Sequence, residues 1–213
     1  MKHKPYGPYE RFVKRPLDFL LSLLAIIILS PVMLIVGLMV RIKLGSPVLF
    51  TQERPGKDEK IFKLIKFRTM TDKKDEKGEL LPDTVRLTSF GRKLRGTSLD
   101  ELPELINILK GNMAIIGPRP LLVRYLPAYT ETEHHRHDVR PGLSGLAQVK
   151  GRNYVPWDQR LAYDIEYVNG ITFRKDLHII MQTIKSVLKH KDVAENTETI
   201  EEGYLDEIRG VKE

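Results

Sequence analysis

The sequence predicts a mostly helical α+β protein. A membrane-embedded, re-entrant helix-break-helix hairpin comes first, and a compact cytoplasmic catalytic domain with a small β-hairpin and interfacial amphipathic helices follows. Three observations predict this. No charged residue occurs from Phe19 to Val40, and a membrane helix needs about 20 apolar residues. Two short apolar stretches flank Pro55-Gly56, a dipeptide with turn chemistry. Leu177, Ile180, Met181, Ile184, Val187 and Leu188 recur at helical spacing.

The N-terminal run is expected to bend at Ser30-Pro31. Lys2, Lys4, Arg11, Lys14 and Arg15 precede it, and Arg41 and Lys43 follow it. Basic residues mark the cytoplasmic flank of a membrane segment, so a segment that enters and returns satisfies both flanks. Pro31 deprives the Ile27 carbonyl of its helical partner, and the Ser30 hydroxyl is placed to satisfy it. A kinked single-pass anchor is the alternative. A cleaved signal peptide is disfavoured, because the run exceeds an h-region and no small-x-small cleavage site follows.

The chain divides into residues 1–43 (the membrane element and its basic flanks), 44–191 (the catalytic domain) and 192–213 (a tail). The tail carries eight acids and two bases, which leaves +13 on the remainder of a chain whose net charge is +7. A basic body beside a membrane segment fits anionic headgroups or an anionic substrate. A nucleic-acid partner is not expected, since the chain has no aromatic-interleaved basic motif and no helix-turn-helix pattern. The absence of cysteine excludes disulfides and cysteine-based metal sites.

After the run, Val48-Leu49-Phe50 and Ile61 to Phe67 read as strands, the second partly alternating apolar and basic. Asp72 to Pro82 reads as a charged loop. A helix is expected to begin within Thr97 to Asp100 and to end at Lys110, with Gly111 as its cap. Ala114 to Pro120 is an apolar stretch that ends in a stiff Pro-Arg-Pro elbow. Leu121 to His137 reads as helical, and Val139 to Gly151, with three glycines and a proline, as mostly loop. Helices are expected over Trp157 to Val168 and over Asp176 to His190. The acidic tail reads as disordered or loosely docked.

Ser98-Leu99-Asp100-Glu101 admits two readings. Ser-x-x-Glu is a capping box, and acids in a first turn are stabilised by the helix dipole. The same pair supplies two carboxylates that diverge by about 100°, one for a reacting centre and one for a metal or a proton. Lys66, Arg68, Arg92, Lys93, Arg95, Arg119, Arg124, Arg140 and Arg152 surround them in the sequence. Carboxylates with Mg²⁺ and arginines are what phosphoryl transfer requires, and an ionised Asp can itself be the nucleophile. His134, His135 and His137 read as a solvated helix surface rather than a metal site. Gly142-Leu143-Ser144-Gly145 lacks the Lys-Ser/Thr of a phosphate loop.

Several blocks, in order, resemble the bacterial sugar transferase family, the small monotopic, PglC-like polyprenyl-phosphate phosphoglycosyl transferases. They are Lys14-Arg15-Pro16-Leu17-Asp18 leading to Ser30-Pro31, Phe50 to Gly56, Lys66-Phe67-Arg68-Thr69-Met70, Ser98 to Pro103, Ile115 to Leu121, Arg140-Pro141-Gly142 and Gly151-Arg152-Asn153. The resemblance spans roughly residues 9 to 190. It implies that Asp100 attacks the β-phosphorus of a UDP-sugar, releases UMP and carries the sugar phosphate to a polyprenyl phosphate. It implies that Asp100 and Glu101 hold Mg²⁺. It assigns phosphate binding to Arg95 and to Arg119 between Pro118 and Pro120, with Lys66, Arg68 and Arg152 as further anion contacts. It places the enzyme on the cytoplasmic face of the bacterial inner membrane, and by this likeness the sugar is N-acetylated. Gly145-Leu146-Ala147-Gln148 and Lys110-Gly111-Asn112-Met113 depart from the family's usual Gly-Trp-Ala-Gln and Lys-Gly-Asp-Met, and leave the dyad intact.

Three other readings have distinct consequences. A silent membrane-surface scaffold releases no UMP from any UDP-sugar. A membrane-tethered nucleic-acid binder, the less favoured rival, holds oligonucleotides in a salt-sensitive way with the acidic tail as competitor. A one-step transferase forms no covalent adduct.

Overall fold

The computed structural model describes residues 3–151, 155–188 and 203–211. Helix α1 runs from Lys14 to Leu44, preceded by a π-turn over Tyr9–Val13. It continues through Pro31, so the expected division into two helices is replaced by one continuous helix. The reason is local. Ser30 Oγ donates to the Ile27 carbonyl at 2.8 Å, the group that Pro31 leaves without a partner.

One face of α1 is packed from end to end. Lys14, Asp18 and Ser22 are buried near its start, and Val36, Val40 and Leu44 near its end. Ala25, Ile26, Leu29 and Met33 fill the middle of the same stripe. The opposite face is exposed and apolar, with Leu20, Ile27, Ile28, Leu34, Leu38 and Ile42 all outward. The helix is therefore anchored to the domain along one stripe, fully buried only toward its two ends, while most of its apolar surface stays outward.

Strands β1 (Leu49–Pro55) and β2 (Ile61–Phe67) form an antiparallel hairpin, Leu49 opposite Phe67 and Pro55 opposite Ile61. A 3-10 turn over Lys57–Glu59 closes it. Phe62, Leu64 and Phe67 point inward. The charged segment that follows is an exposed excursion pinched by a bridge between Lys74 and Leu80. It leads into the single turn α2 (Asp83–Arg86) and then α3 (Ser89–Gly96), which is capped by the Thr88 hydroxyl.

The helix expected from Thr97 to Lys110 is shorter. Ser98 adopts φ 56°, a 3-10 turn spans Leu99–Glu101, and α4 runs over Glu104–Lys110 with left-handed Gly111 as its cap. Asn107 ties α4 to β2. Its Oδ1 accepts from Ile65 N at 3.0 Å and its Nδ2 donates to Lys63 O at 2.8 Å. Asn107→Ala leaves both backbone groups short of a partner at a buried site, and is expected to cost about 3 kcal/mol, read as a lowered urea midpoint in detergent. Arg15 on α1 donates to the Ile108 and Leu109 carbonyls at 2.7 and 3.0 Å, so it closes the far end of α4.

Strands β3 (Ala114–Ile116) and β4 (Gly142–Ser144) pair in parallel. The segment between them, Leu121 to His137, is not one helix. It is a 3-10 stretch over Val123–Ala128, the turn α5 (Glu131–His134) and a second 3-10 turn over His135–His137. Pro127 prevents a longer helix, and Thr130 with Glu133 starts a new one through a capping box. Within Val139 to Gly151, expected as mostly loop, β4 is followed by α6 (Leu146–Lys150). Helix α7 occupies Trp157–Val168, as the sequence predicts, and α8 occupies Phe173–Leu188. Phe173, Leu177, Met181 and Ile184 form an outward apolar stripe on α8. Lys14 of α1 and Tyr167 of α7 both bond to the buried Asp176 of α8, at 2.6 and 2.7 Å.

The tail is docked where it is described, the second of the two expected states, and by buried contacts rather than loosely. In α9 (Leu205–Ile208), Leu205 is fully enclosed beside Tyr125 and Trp157. Arg209 holds Glu133 and Asp158, and Arg124 pairs with Asp206 at 3.1 Å. Residues 189–202 lie outside the described segments.

Candidate active site

The dyad sits on the 3-10 turn between α3 and α4, and the capping box does not form. Ser98 makes no side-chain cap. The Glu101 carboxylate is taken by cations instead. Its Oε1 accepts from Lys66 Nζ at 2.8 Å and from Arg119 Nη2 at 2.7 Å. Lys66 arrives from β2, which Asn107 fixes to α4. Arg119 arrives from the elbow after β3.

That elbow is pinned from several sides. Gly142 N donates to the Pro118 carbonyl at 2.9 Å, and Gly117 N to Ser144 O at 2.9 Å. The buried Arg136, paired with Asp164, donates to the Arg119 carbonyl at 2.6 Å. Arg54 donates to the Pro120 carbonyl at 3.3 Å. The guanidinium of Arg119 is thus free to turn only about its own side chain.

Asp100 differs from its neighbour. It is 7% exposed, and among the described residues no side chain hydrogen-bonds or ion-pairs with its carboxylate. Burial, and next the charge of Glu101, push its pKa up to about 6, against the pull of Lys66, Arg95 and Arg119. At pH 7 it is mostly ionised and unengaged, which is the state of a nucleophile. Burial opposes charge on Glu101 too, but Arg119 and Lys66 outweigh it and hold this carboxyl far below the usual range. The two acids differ because the cations converge on only one of them.

A third carboxylate joins the dyad that sequence reasoning does not single out. Glu104, 2% exposed, lies 3.1 Å from Lys66 Nζ. Burial first, and the Glu101 charge second, raise it to about 7. An acid three residues beyond Glu101 is visible in the sequence, but only the fold shows that it shares a lysine with the dyad.

The dyad opens on a cleft of about 1800 Å³ whose lining holds both basic and apolar groups. Arg54, Arg92, Lys93 and Arg95 are among the basic ones. Arg95 Nε donates to Thr69 Oγ1 at 3.0 Å, and none of these four pairs with a carboxylate among the described residues. Burial, then the nearby Arg119, lower Arg54 to about 10. Ala25 and Leu29 of α1, Leu143 of β4, and Ile180 and Ile184 of α8 are among the apolar ones.

Arg68 also lines this cleft, but its guanidinium is committed elsewhere. It donates to Leu44 O and Ser46 O at 2.7 Å and to Met70 O at 2.9 Å. It caps the end of α1, and Asp72 pairs with it at 3.1 Å. Arg152 lies outside the described residues. Carboxylate oxygens of Asp100 and Glu101 are the hard donors that Mg²⁺ takes, usually one or two with water completing the shell. The donor chemistry fits, because the Asp100 carboxylate is unengaged and the cations meet Glu101 at Oε1 alone.

The chain is matched over residues 9–190 by the family model described as bacterial sugar transferase. It is 45% identical over 192 residues to an uncharacterized sugar transferase of Bacillus subtilis, EpsL, which covers 90% of this chain and 95% of that protein. It is 37% identical over 190 residues to a Klebsiella pneumoniae protein named UDP-glucose:undecaprenyl-phosphate glucose-1-phosphate transferase, covering 84% of this chain and 41% of that one. It is 34% identical over 194 residues to an Aeromonas hydrophila protein named UDP-N-acetylgalactosamine-undecaprenyl-phosphate N-acetylgalactosaminephosphotransferase, covering 85% and 45%. The chain therefore spans less than half the length of the latter two relatives.

Proposed function

Because the chain belongs to the bacterial sugar transferase family, we propose that it moves a sugar 1-phosphate from a UDP-sugar to undecaprenyl phosphate and releases UMP, with Asp100 as the nucleophile. One observation carries this reading: a buried, unpartnered Asp100 stands beside a Glu101 that already holds Lys66 and Arg119. An Asp100 oxygen bonds to the β-phosphorus, and the bond from that phosphorus to the UMP oxygen breaks. The phosphate oxygen of undecaprenyl phosphate then attacks the same phosphorus, and the acyl-phosphate bond breaks to restore the carboxylate. Arg95 and Arg119 bind the diphosphate, and Arg54 adds charge to the same cleft. Glu101 keeps Arg119 and Lys66 in place. Mg²⁺ held by Asp100 and Glu101 supplies charge neutralisation on the phosphate oxygens.

The mixed lining of the cleft supports this pairing of substrates. Its basic residues suit the diphosphate, and its apolar residues, which include Ala25 and Leu29 of α1, suit a polyprenyl chain. Of the relatives above, one is named for glucose and one for N-acetylgalactosamine. An N-acetylated UDP-hexose is the proposed donor. Incubation with UDP-N-acetylgalactosamine and no lipid acceptor is expected to add one sugar phosphate to the intact mass, and addition of undecaprenyl phosphate to discharge it. UMP release only with acceptor present, and no adduct, selects direct one-step transfer.

The same packing supports a placement of α1 in the cytoplasmic leaflet of the inner membrane without crossing it, both ends on one side; because α1 is continuous through Pro31, it does so without the return bend first expected. The domain lines α1 from Lys14 to Leu44, a length of about 46 Å at 1.5 Å per residue, and a polar domain cannot follow a helix across a bilayer. The outward stripe of α8 is suited to the headgroup plane. The chain has no cysteine, so Lys4→Cys and Lys43→Cys each give a single reporter. Both are expected to react only from the cytoplasmic side, and periplasmic labelling of either rules this placement out.

A further inference from the structure

The hairpin turn delivers Glu59 to two distant histidines. Glu59 Oε1 lies 2.5 Å from His134 Nδ1 and 3.6 Å from His137 Nδ1. The three donor atoms all fall within 4.8 Å of one another. Asp58, Glu131 and Asp138 line the same small pocket, which shares no residue with the large cleft at the dyad.

His137 carries the argument. Its side chain is 5% exposed, and among the described residues its enclosed Nδ1 has no side-chain hydrogen bond, with the backbone of His134 in reach of the ring. This nitrogen stands beside a carboxylate and a second imidazole. The turn is itself held in an unfavourable shape, with Asp58 and Glu59 at φ 54° and 58°. That shape is what brings the Glu59 carboxylate to the pair.

We propose that Glu59, His134 and His137 bind one divalent ion of the zinc class, which ties the β1–β2 turn to the segment that holds the Arg119 elbow. Two imidazole nitrogens and one carboxylate oxygen form a donor set that zinc takes, with water in the fourth position. Mg²⁺, which keeps to oxygen donors, is selected against by the same set. Zinc ligands at about 2.0–2.1 Å from the ion stand roughly 3.4 Å apart in a tetrahedron. The pair Glu59–His137 already has that spacing, and the side chains of Glu59 and His134, 39% and 40% exposed, have room to open to it.

Coordination carries a cost at the other nitrogen. With Nδ1 on the ion the imidazole proton of His137 sits on Nε2, so Arg136 Nη1, 3.3 Å away and itself a donor, loses that acceptor and keeps the Tyr129 hydroxyl at 3.5 Å. The bonds from Arg136 to Asp164 and to the Arg119 carbonyl use Nε and Nη2 and stay in place.

The test is zinc titration of the full-length chain in detergent, read by competition with a chromophoric chelator, with Co²⁺ as a spectroscopic substitute. Wild type is expected to bind one equivalent and to give the visible bands of a tetrahedral Co²⁺ site. Glu59→Gln and His134→Ala are each expected to weaken binding at least about tenfold and to lose those bands. Asp100→Asn is expected to bind zinc as wild type does. Zinc should raise the melting temperature of wild type and not of Glu59→Gln, and the half-exposed His134 can be truncated without opening the core. The proposal is overturned if wild type binds no zinc, if Glu59→Gln and His134→Ala bind as tightly as wild type, or if Asp100→Asn alone removes the ion.

Discussion

Asp100→Asn is expected to lose the sugar-phosphate adduct, to lower UMP release by roughly 10⁴-fold or more, and at the same time to make the protein harder to unfold. The loss follows from removing the atom that bonds to phosphorus. The gain follows from the raised pKa. The carboxyl is pushed up to about 6, first by burial and then by Glu101, against a reference value of about 3.9 in an unfolded chain. Below about pH 4 the group is protonated in both states and contributes nothing to the difference. Between those two values the unfolded chain ionises and the folded one does not, so wild type is progressively penalised. Above pH 6 the penalty is complete, and a shift of this size corresponds to about 2–3 kcal/mol. The excess stability of Asp100→Asn should therefore appear from about pH 4, level off above pH 6, and correspond there to a rise in melting temperature of ~5 °C. The same titration should give wild-type kcat/KM an acidic limb near pH 6, since that parameter reports groups of the free enzyme. An inactive variant whose excess stability over wild type is no larger at pH 8 than at pH 4 contradicts the account of how this carboxylate is held.

Gly142→Ala is expected to be among the most damaging small substitutions outside the dyad. A Cβ at this position would stand 2.1 Å from Gly117 N and 2.4 Å from Ser144 O. Both obstacles are backbone, so no side-chain rotation relieves them. The parallel pairing of β3 with β4 must open, and with it the bond from Gly142 N to the Pro118 carbonyl. The elbow bearing Arg119 then moves away from Glu101. A cost above about 4 kcal/mol is the expected scale for such a collision, measured as the shift in urea midpoint. Any protein that still folds should show KM for the UDP-sugar raised more than the stability of its core explains. Gly96 is the control position, because a methyl group there would meet nothing within 4 Å. Gly96→Ala should leave both quantities near wild type.

The parts of this fold that depend on local chemistry are readable in the sequence. Ile61–Phe67 alternates because one face of β2 is buried, and Trp157–Val168 occupies the span that its pattern indicates. Lys110 and Gly111 end α4 as a basic last turn and a left-handed cap should. The role of Ser30 toward Ile27 follows from proline chemistry alone. The dyad is marked by its acids and by the ordered blocks around them.

The parts that depend on distant partners are not readable. Ser98-x-x-Glu101 has the form of a capping box, but Lys66 and Arg119 bind the same carboxylate more strongly than one backbone N–H does. Arg68 stands in a motif of basic residues, yet the exposed carbonyls at the end of α1 claim it. Strands β3 and β4 are three residues each, too short for periodicity to register. His134 and His137 lack a third ligand on their own segment, and Glu59 reaches them from the turn of the hairpin. Leu205 is one of several scattered apolar residues in an acidic tail, and only the pocket beside Tyr125 and Trp157 explains its burial.

The lining of α1 by the rest of the chain has a consequence for biogenesis. The residues that cover its inner face, among them Phe67, Leu94, Leu105 and Ile108, leave the ribosome only after the whole helix has done so. Until then its inner face is as uncovered as its outer one. The interior is therefore completed only when the whole chain is available, and replacing these first residues with a foreign tether of equal length would yield a protein without a finished interior.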